Sequence, residues 1–82
     1  FVWQVDSMLV PIEVKSGTNA RLRSLHSFMD ASVSSIAVRV WSGEYAVDEL
    51  VTPTNRKPFK LINLPFYMLG NLEHIVKDVA NL

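Results

Sequence analysis

The chain lacks cysteine, and its 82 residues include only three glycines and two histidines. Without cysteine, disulfide bonds, thiolate zinc sites and cysteine nucleophiles are excluded within this segment. Two histidines leave little room for a metal centre built on imidazole ligands. Eight basic residues balance eight acidic ones, which argues against a histone-like nucleic-acid binder, because such binders depend on an excess of lysine and arginine.

The sequence also has no hydrophobic run long enough to cross a membrane. Its longest uncharged stretch, Leu61 to Leu72, is interrupted by polar residues and proline, and it is shorter than the roughly 20 residues of a spanning helix. The first six residues carry neither a basic leader nor an initiator methionine, so they are not a signal peptide. We therefore expect a soluble, cytoplasmic protein with no membrane contact.

The chain length is that of one small globular domain, which we assign to residues 1–82. A chain of this size buries about 60–65% of the surface that it exposes when unfolded, which is enough for one core. Apolar residues make up 49% of the sequence, a high share for so short a domain. We therefore expect this segment to belong to a longer protein that covers part of its apolar surface.

Alternating apolar and polar residues predict a β-hairpin at the start of the chain. The alternation runs through Phe1–Asp6, turns at Asp6-Ser7 and continues more regularly through Met8–Lys15. Pro11 lacks an amide donor, so we expect the second strand to be unpaired locally on that side.

A helix and a third strand follow the hairpin. Ser16–Asn19 offer N-cap oxygens, and apolar residues then recur at helical spacing as far as Asp30-Ala31. The apolar run Ile36–Trp41 suits a buried strand. Strand, helix and strand at this spacing predict a right-handed βαβ crossover, in which the second and third strands are parallel.

The sequence after the third strand predicts four further elements. They are a short strand at Tyr45–Val47, a loop at Thr52–Pro58, a strand at Phe59–Leu64 and a helix over Phe66–Ala80. The predicted fold is therefore α/β, with a mixed sheet of four to five strands, a β-hairpin, a βαβ crossover and a C-terminal helix. We expect the two helices to cover only one face of the sheet.

Glu13 and Lys15 are two residues apart, so their side chains share one face at the C-terminal end of the second strand. Sites in α/β sheets gather at such strand ends. A carboxylate there can bind Mg²⁺, and a lysine can stabilise charge developing on a phosphate. The pattern Glu-x-Lys is also common by chance, and the structural alternative is an ion pair contributing roughly 0–1 kcal/mol.

Other polar and aromatic side chains have both a structural and a functional interpretation. Arg21 and Arg23 lie near the start of the helix, where a phosphate could bind, although a solvated helix face is the commoner outcome. We expect structural roles for the remaining side chains. Arg39 pairs with an acid, His26 is partly buried and hydrogen-bonded, and His74 is exposed. The loop is kept soluble by Arg56, Lys57 and Lys60, and the core includes Trp41 and Phe66.

The order of hairpin, Glu-x-Lys strand, helix and apolar strand resembles the PD-(D/E)xK restriction-endonuclease-like nuclease superfamily. Longer strings carry a more specific resemblance. They are Pro11–Gly17 (PIEVKSG), the following Arg23-Ser24-Leu25 and Phe28, and Leu61–Leu69 (LINLPFYML). With these strings the chain is similar, over essentially its whole length, to an uncharacterised domain at the C-terminus of many bacterial AAA+ ATPases.

This resemblance implies a truncated restriction-endonuclease-like core, with Glu13 and Lys15 as catalytic residues and Glu13 as the metal ligand. Relatives carry a second acidic residue just before the first strand, whereas this sequence begins at Phe1. Asp6 is a poor substitute, because the length of the second strand puts it up to about 23 Å from Glu13. We therefore expect no cofactor and no appreciable cleavage for this segment, and a Mg²⁺ site only in the intact parent.

Two functions fit these expectations. The first is a noncatalytic, nuclease-like accessory domain of a AAA+ ATPase, which contacts the rest of its own chain, or a second copy through the uncovered sheet face or the edge of the first strand. The alternative is a Mg²⁺-dependent PD-(D/E)xK nuclease acting on nucleic acid in the intact parent. Zero net charge and apolar surface favour the first function, and the placement of Glu13 and Lys15 favours the second.

Overall fold

The computed structural model describes residues 2–15 and 23–81, with Arg23 and Ser24 described by their backbone alone. Its elements are β1 (Val2–Val5), β2 (Met8–Val14), α1 (Arg23–Ala31), β3 (Ile36–Trp41), β4 (Ala46–Val51), β5 (Pro58–Pro65), a 3-10 helix (Phe66–Asn71) and α2 (Leu72–Ala80). The five strands form one sheet in the order β1-β2-β3-β5-β4. Strands β2, β3 and β5 are parallel, and the edge strands β1 and β4 are antiparallel to their neighbours. The α/β prediction is confirmed.

Pro11 explains where the pairing of β2 with β3 begins. The Lys15 N–H donates to the Val40 carbonyl of β3 at 2.8 Å, and N–H groups on that side of β2 recur at every second residue. Pro11 has the same orientation four residues earlier but carries no N–H. Accordingly, the ladder between β2 and β3 starts at Ile12.

The two helices lie on opposite faces of the sheet, so the prediction that they cover only one face is wrong. α1 packs Leu25 and Met29 against Ala37, Phe59 and Leu61. On the other face, α2 packs Leu72, Ile75, Val76 and Val79 against the alternate residues of β3 and β5. The physical reason is that β3 and β5 carry large apolar residues or alanine on both of their faces, and each apolar surface needs cover.

β4 is longer than the predicted Tyr45–Val47, because it continues through Asp48 and Glu49 to Val51. An edge strand can carry charged side chains into solvent, so acidic residues do not end it. Its hairpin with β5 is closed by Thr52, whose N–H donates to the Lys57 carbonyl and whose Oγ1 accepts from the Lys57 N–H, both at 2.9 Å.

The C-terminal helix begins as a 3-10 helix and becomes α-helical only at Leu72. Gly70 and Asn71, at the junction, have low α-helix propensity. Phe66 is about half exposed in the 3-10 helix, so the prediction that it packs in the core is wrong. Among the described residues, no helix is long and apolar enough to span a bilayer.

Candidate functional site

Glu13 and Lys15 lie at the C-terminal end of β2, which is an interior strand between β1 and β3. The even-numbered apolar residues of β2 pack on the α2 face, so alternation puts Glu13 and Lys15 on the α1 face. Glu13 stands opposite Arg39 in the parallel register. The chain beyond Lys15 leads to α1 through residues 16–22, which lie outside the described residues.

Arg39, Asn63 and Asp48 form a hydrogen-bonded row across β3, β5 and β4, beside Glu13. The Arg39 guanidinium donates to the Asn63 Oδ1, at 2.9 Å from Nε and 2.6 Å from Nη2. The Asn63 Nδ2 donates to the Asp48 Oδ2 at 2.8 Å and to the Ala46 carbonyl at 3.3 Å. Asn63 is only 1% exposed, and each of its side-chain polar atoms has a partner.

This row corrects the expectation that Arg39 pairs directly with an acid. Its partner is a buried amide, and the carboxylate of Asp48 is reached one step further along the row. Asn63 was not among the predicted site residues. In the sequence, Asn63 is a polar residue inside an apolar strand, as Arg39 is. Such a residue predicts a hydrogen-bonded group, because buried polar groups need hydrogen-bond partners.

Trp41 stands beside this row as a platform for two cations. The Lys15 Nζ lies 5.3 Å from the centre of the indole, and the Arg39 Cζ lies 5.2 Å from it, both within the range of cation–π attraction. The indole Nε1 donates to the Glu44 carbonyl at 3.0 Å, which fixes the ring. Trp41 is partly exposed, so the expectation that it packs in the core is wrong.

In the part of the chain that the structure describes, the buried Oε2 of the Glu13 carboxylate has no hydrogen-bond partner. The ion pairs of the described residues, which join His74 to Asp78 and Lys77 to Asp6 and Glu73, do not include Glu13. Burying an oxygen of an ionised carboxylate without a partner is unfavourable. The carboxylate therefore keeps an unused acceptor beside the cations of β2 and β3.

A metal ion shared between Glu13 and a second carboxylate does not fit the described part of the chain. Asp48 belongs to β4, three strand spacings from β2, which is about 14 Å, whereas Mg²⁺ ligands lie about 2.1 Å from the ion. Within residues 2–15 and 25–81, no three His, Asp or Glu side chains cluster closely enough to hold one metal. Among these His, Asp and Glu residues, Glu13 is the one whose position at the end of a strand favours metal binding.

Asp6 is oriented toward the α2 side of the molecule, where its Oδ1 lies 3.7 Å from the Lys77 Nζ. Arg21 lies outside the described residues. Arg23 begins α1, but its side chain is not described. The phosphate-contact prediction for these two arginines therefore stays a prediction.

The two histidines and Lys57 are remote from this site. His26 is partly buried, with its ring edge-on to Phe59 at a centroid distance of 5.9 Å, and His74 is exposed and lies 3.3 Å from Asp78. Lys57 does more than keep a loop soluble. Its Nζ donates to the Met29 carbonyl at 2.8 Å and to the Ser32 carbonyl, which caps the C-terminal end of α1.

The site at the C-terminal end of β2, here called the strand-tip site, therefore combines one carboxylate, two cations and an indole on the α1 face. Next to it lies the hydrogen-bonded row of Arg39, Asn63 and Asp48. Comparisons of the chain with protein-family models, with curated proteins and with solved structures give no match.

Proposed function

We propose that this chain is a nuclease-like accessory domain of a bacterial AAA+ ATPase, which makes protein contacts and does not itself cleave nucleic acid. The ATPase context depends on the resemblance of PIEVKSG and LINLPFYML. The observation that supports a noncatalytic role is the set of neighbours of Glu13. On the same face of the sheet, the neighbours of Glu13 are Lys15, Arg39 and Trp41. The carboxylate of Asp48 lies two strands beyond Arg39 and is hydrogen-bonded to Asn63.

A single carboxylate beside two cations is poorly suited to Mg²⁺. The ion prefers octahedral oxygen ligands, and with one protein ligand it stays mostly hydrated and weakly held. Nearby positive charges further oppose its binding. The same cations and the indole suit contact with a carboxylate-bearing segment, as the rest of an ATPase chain would provide.

The test is a cleavage assay on the purified 82-residue chain. Supercoiled plasmid, single-stranded DNA and RNA are incubated with Mg²⁺ or Mn²⁺, with Glu13→Ala as the site variant and Glu49→Ala, on the exposed edge strand, as its matched control. We expect equal background with all three proteins. Cleavage by the wild-type chain and by Glu49→Ala, but not by Glu13→Ala, would overturn the noncatalytic role.

The alternative is a Mg²⁺-dependent nuclease in the intact parent. The unpartnered Oε2 of Glu13 and the ammonium of Lys15 favour it, because a strand-tip carboxylate and lysine are the groups that metal-assisted phosphodiester hydrolysis requires. It is tested with the intact parent. Cleavage that Glu13→Ala or Lys15→Ala removes, while ATP hydrolysis persists, would establish this function.

Nucleic-acid binding is measured separately from cleavage. If the strand-tip cations contact phosphates, the affinity should fall steeply with salt, and Lys15→Ala should reduce the slope of log K against log salt by about 1. The absence of binding at low salt favours the protein-contact role.

A further inference from the structure

β1 is an edge strand of the sheet that the described residues form. The strand order begins with β1, so among the described residues no strand pairs with its outer side. The strand reads Val-Trp-Gln-Val, with neither charge nor proline, although natural edge strands are usually protected by one or the other. Because each sheet face carries a helix, this edge is the more accessible route to strand-to-strand association.

The opposite edge strand, β4, is protected against pairing with itself. In an antiparallel pair of identical strands related by a twofold axis, the axis is perpendicular to the sheet and both copies keep their faces on the same side. Opposed residues must then share a face, so their numbers are both even or both odd. For β4, the two registers of greatest overlap centre on Asp48 or on Glu49 and oppose identical carboxylates, which repel.

Applied to β1, the same rule gives registers in which no charged residues face each other. The two registers of greatest overlap centre on Trp3, with Val2 opposite Gln4 of the second copy, or on Gln4, with Trp3 opposite Val5 of the second copy. Every opposed pair inside the strand is then uncharged. The charge pattern therefore permits self-pairing at β1 and disfavours it at β4.

An apolar groove continues from this edge on the α2 face. Its volume is about 390 Å³, its exposed surface is entirely apolar, and its lining includes Ile12 and Val14 of β2 and Phe66 and Leu69 of the 3-10 helix. Val14 is 61% exposed. The twofold axis keeps the α2 faces of both copies on the same side of the combined sheet. The grooves of two paired copies therefore lie next to each other, on either side of the two paired β1 strands.

We infer that a second copy of this chain docks antiparallel on the outer edge of β1 and joins the two sheets into one. Pairing over three residues of each strand buries less than the roughly 1,200 Å² of a stable interface, so the apolar surface beside the edge has to contribute and the dimer is weak. The inference names a second copy as the partner for the protein contacts of the proposed function, but it does not require nuclease ancestry or an ATPase parent.

The experiment is sedimentation velocity on the 82-residue chain from about 5 μM to about 500 μM, the range in which a weak dimer dissociates. We expect the weight-average mass to rise reversibly from monomer toward dimer. Gln4→Lys should weaken the dimer about tenfold or more, because Gln4 is paired in both registers and a lysine on an edge strand opposes strand pairing. Val51→Lys, on the β4 edge, is the matched control and should leave dimerisation unchanged.

A monomeric mass throughout this range overturns the inference, as does equal weakening by Gln4→Lys and Val51→Lys. Circular dichroism of both variants checks that they fold. Isotope-filtered NOEs in a mixture of labelled and unlabelled wild-type chains provide a second measurement that needs no substitution. Contacts between β1 residues of different copies are expected, and a dimer without them contradicts the inference.

Discussion

The Arg39 guanidinium donates two hydrogen bonds to a single atom, the Oδ1 of Asn63, at 2.9 Å and 2.6 Å. The amide of Asn63 in turn donates to Asp48, so a neutral side chain connects a cation on β3 with an anion on β4. A buried amide with every polar atom paired is compatible with a well-packed sheet, whereas an incomplete set of partners would be costly.

Asn63→Leu should lower the free energy of unfolding by roughly 1–3 kcal/mol, because the partners of the amide lose their hydrogen bonds without gaining others. Urea denaturation measures the change. Asn55→Leu, at an exposed loop position, is the control and should stay within about 0.5 kcal/mol of wild type. Equal effects of the two substitutions would contradict a structural role for the row.

Gly43→Ala should displace the indole of Trp41, because a Cβ at Gly43 would stand 2.6 Å from the Cζ2 of the ring. Ring displacement should move the Lys15 side chain out of the ring-current field, which is observable as a downfield shift of its ε-methylene protons in NMR spectra. Gly70→Ala, where a Cβ would meet nothing within 4 Å, should leave these resonances in place. Unchanged Lys15 shifts in Gly43→Ala would contradict the platform role of Trp41.

Lys57→Met should destabilise the chain by roughly 1.5–3 kcal/mol, because charge-assisted hydrogen bonds to the last carbonyls of α1 are lost while the apolar stem is kept. The comparison is Lys60→Met, since Lys60 is also partly buried and no side-chain hydrogen bond of Lys60 is seen among the described residues. Its effect should stay below about 0.5 kcal/mol. Chemical denaturation distinguishes the two, and similar losses would count against the cap.

Arg56→Gly should stabilise the chain by up to about 1 kcal/mol. Arg56 has a φ of 56°, in the left-handed region, where a side chain is strained and glycine is not. Asn55→Gly provides the contrast and should slightly lower the melting temperature, because it adds freedom to the unfolded chain without relieving a positive φ. A fall in melting temperature for Arg56→Gly would contradict the expected relief of strain.

The central strands were predictable from local patterns. Ile36–Trp41 is a strand with the predicted bounds, β2 ends one residue earlier than predicted, and β5 is one residue longer than predicted at each end. Period-two alternation and apolar runs determine such strands directly. The end of β4 was missed because Asp48 and Glu49 resemble a loop, and only the neighbouring β5 supplies the hydrogen bonds that make them a strand.

The candidate site divides in the same way. That Glu13 and Lys15 share a face follows from alternation within one strand. The meeting of Arg39, Asn63 and Asp48 does not, because these residues come together only through the strand order β3-β5-β4. Likewise, no local signal shows that Trp41 lies close to two cations or that Lys57 reaches the end of α1.

The sequence by itself determined the α/β class, the hairpin, the crossover and the shared orientation of positions 13 and 15, because each depends on side-chain periodicity within a segment or on the order and spacing of successive segments. Only the tertiary structure decided that β5 lies between β3 and β4, which face each helix covers, and which polar side chains complete one another's hydrogen bonds. These features depend on pairings between distant segments, and side-chain periodicity within a segment does not specify its partner.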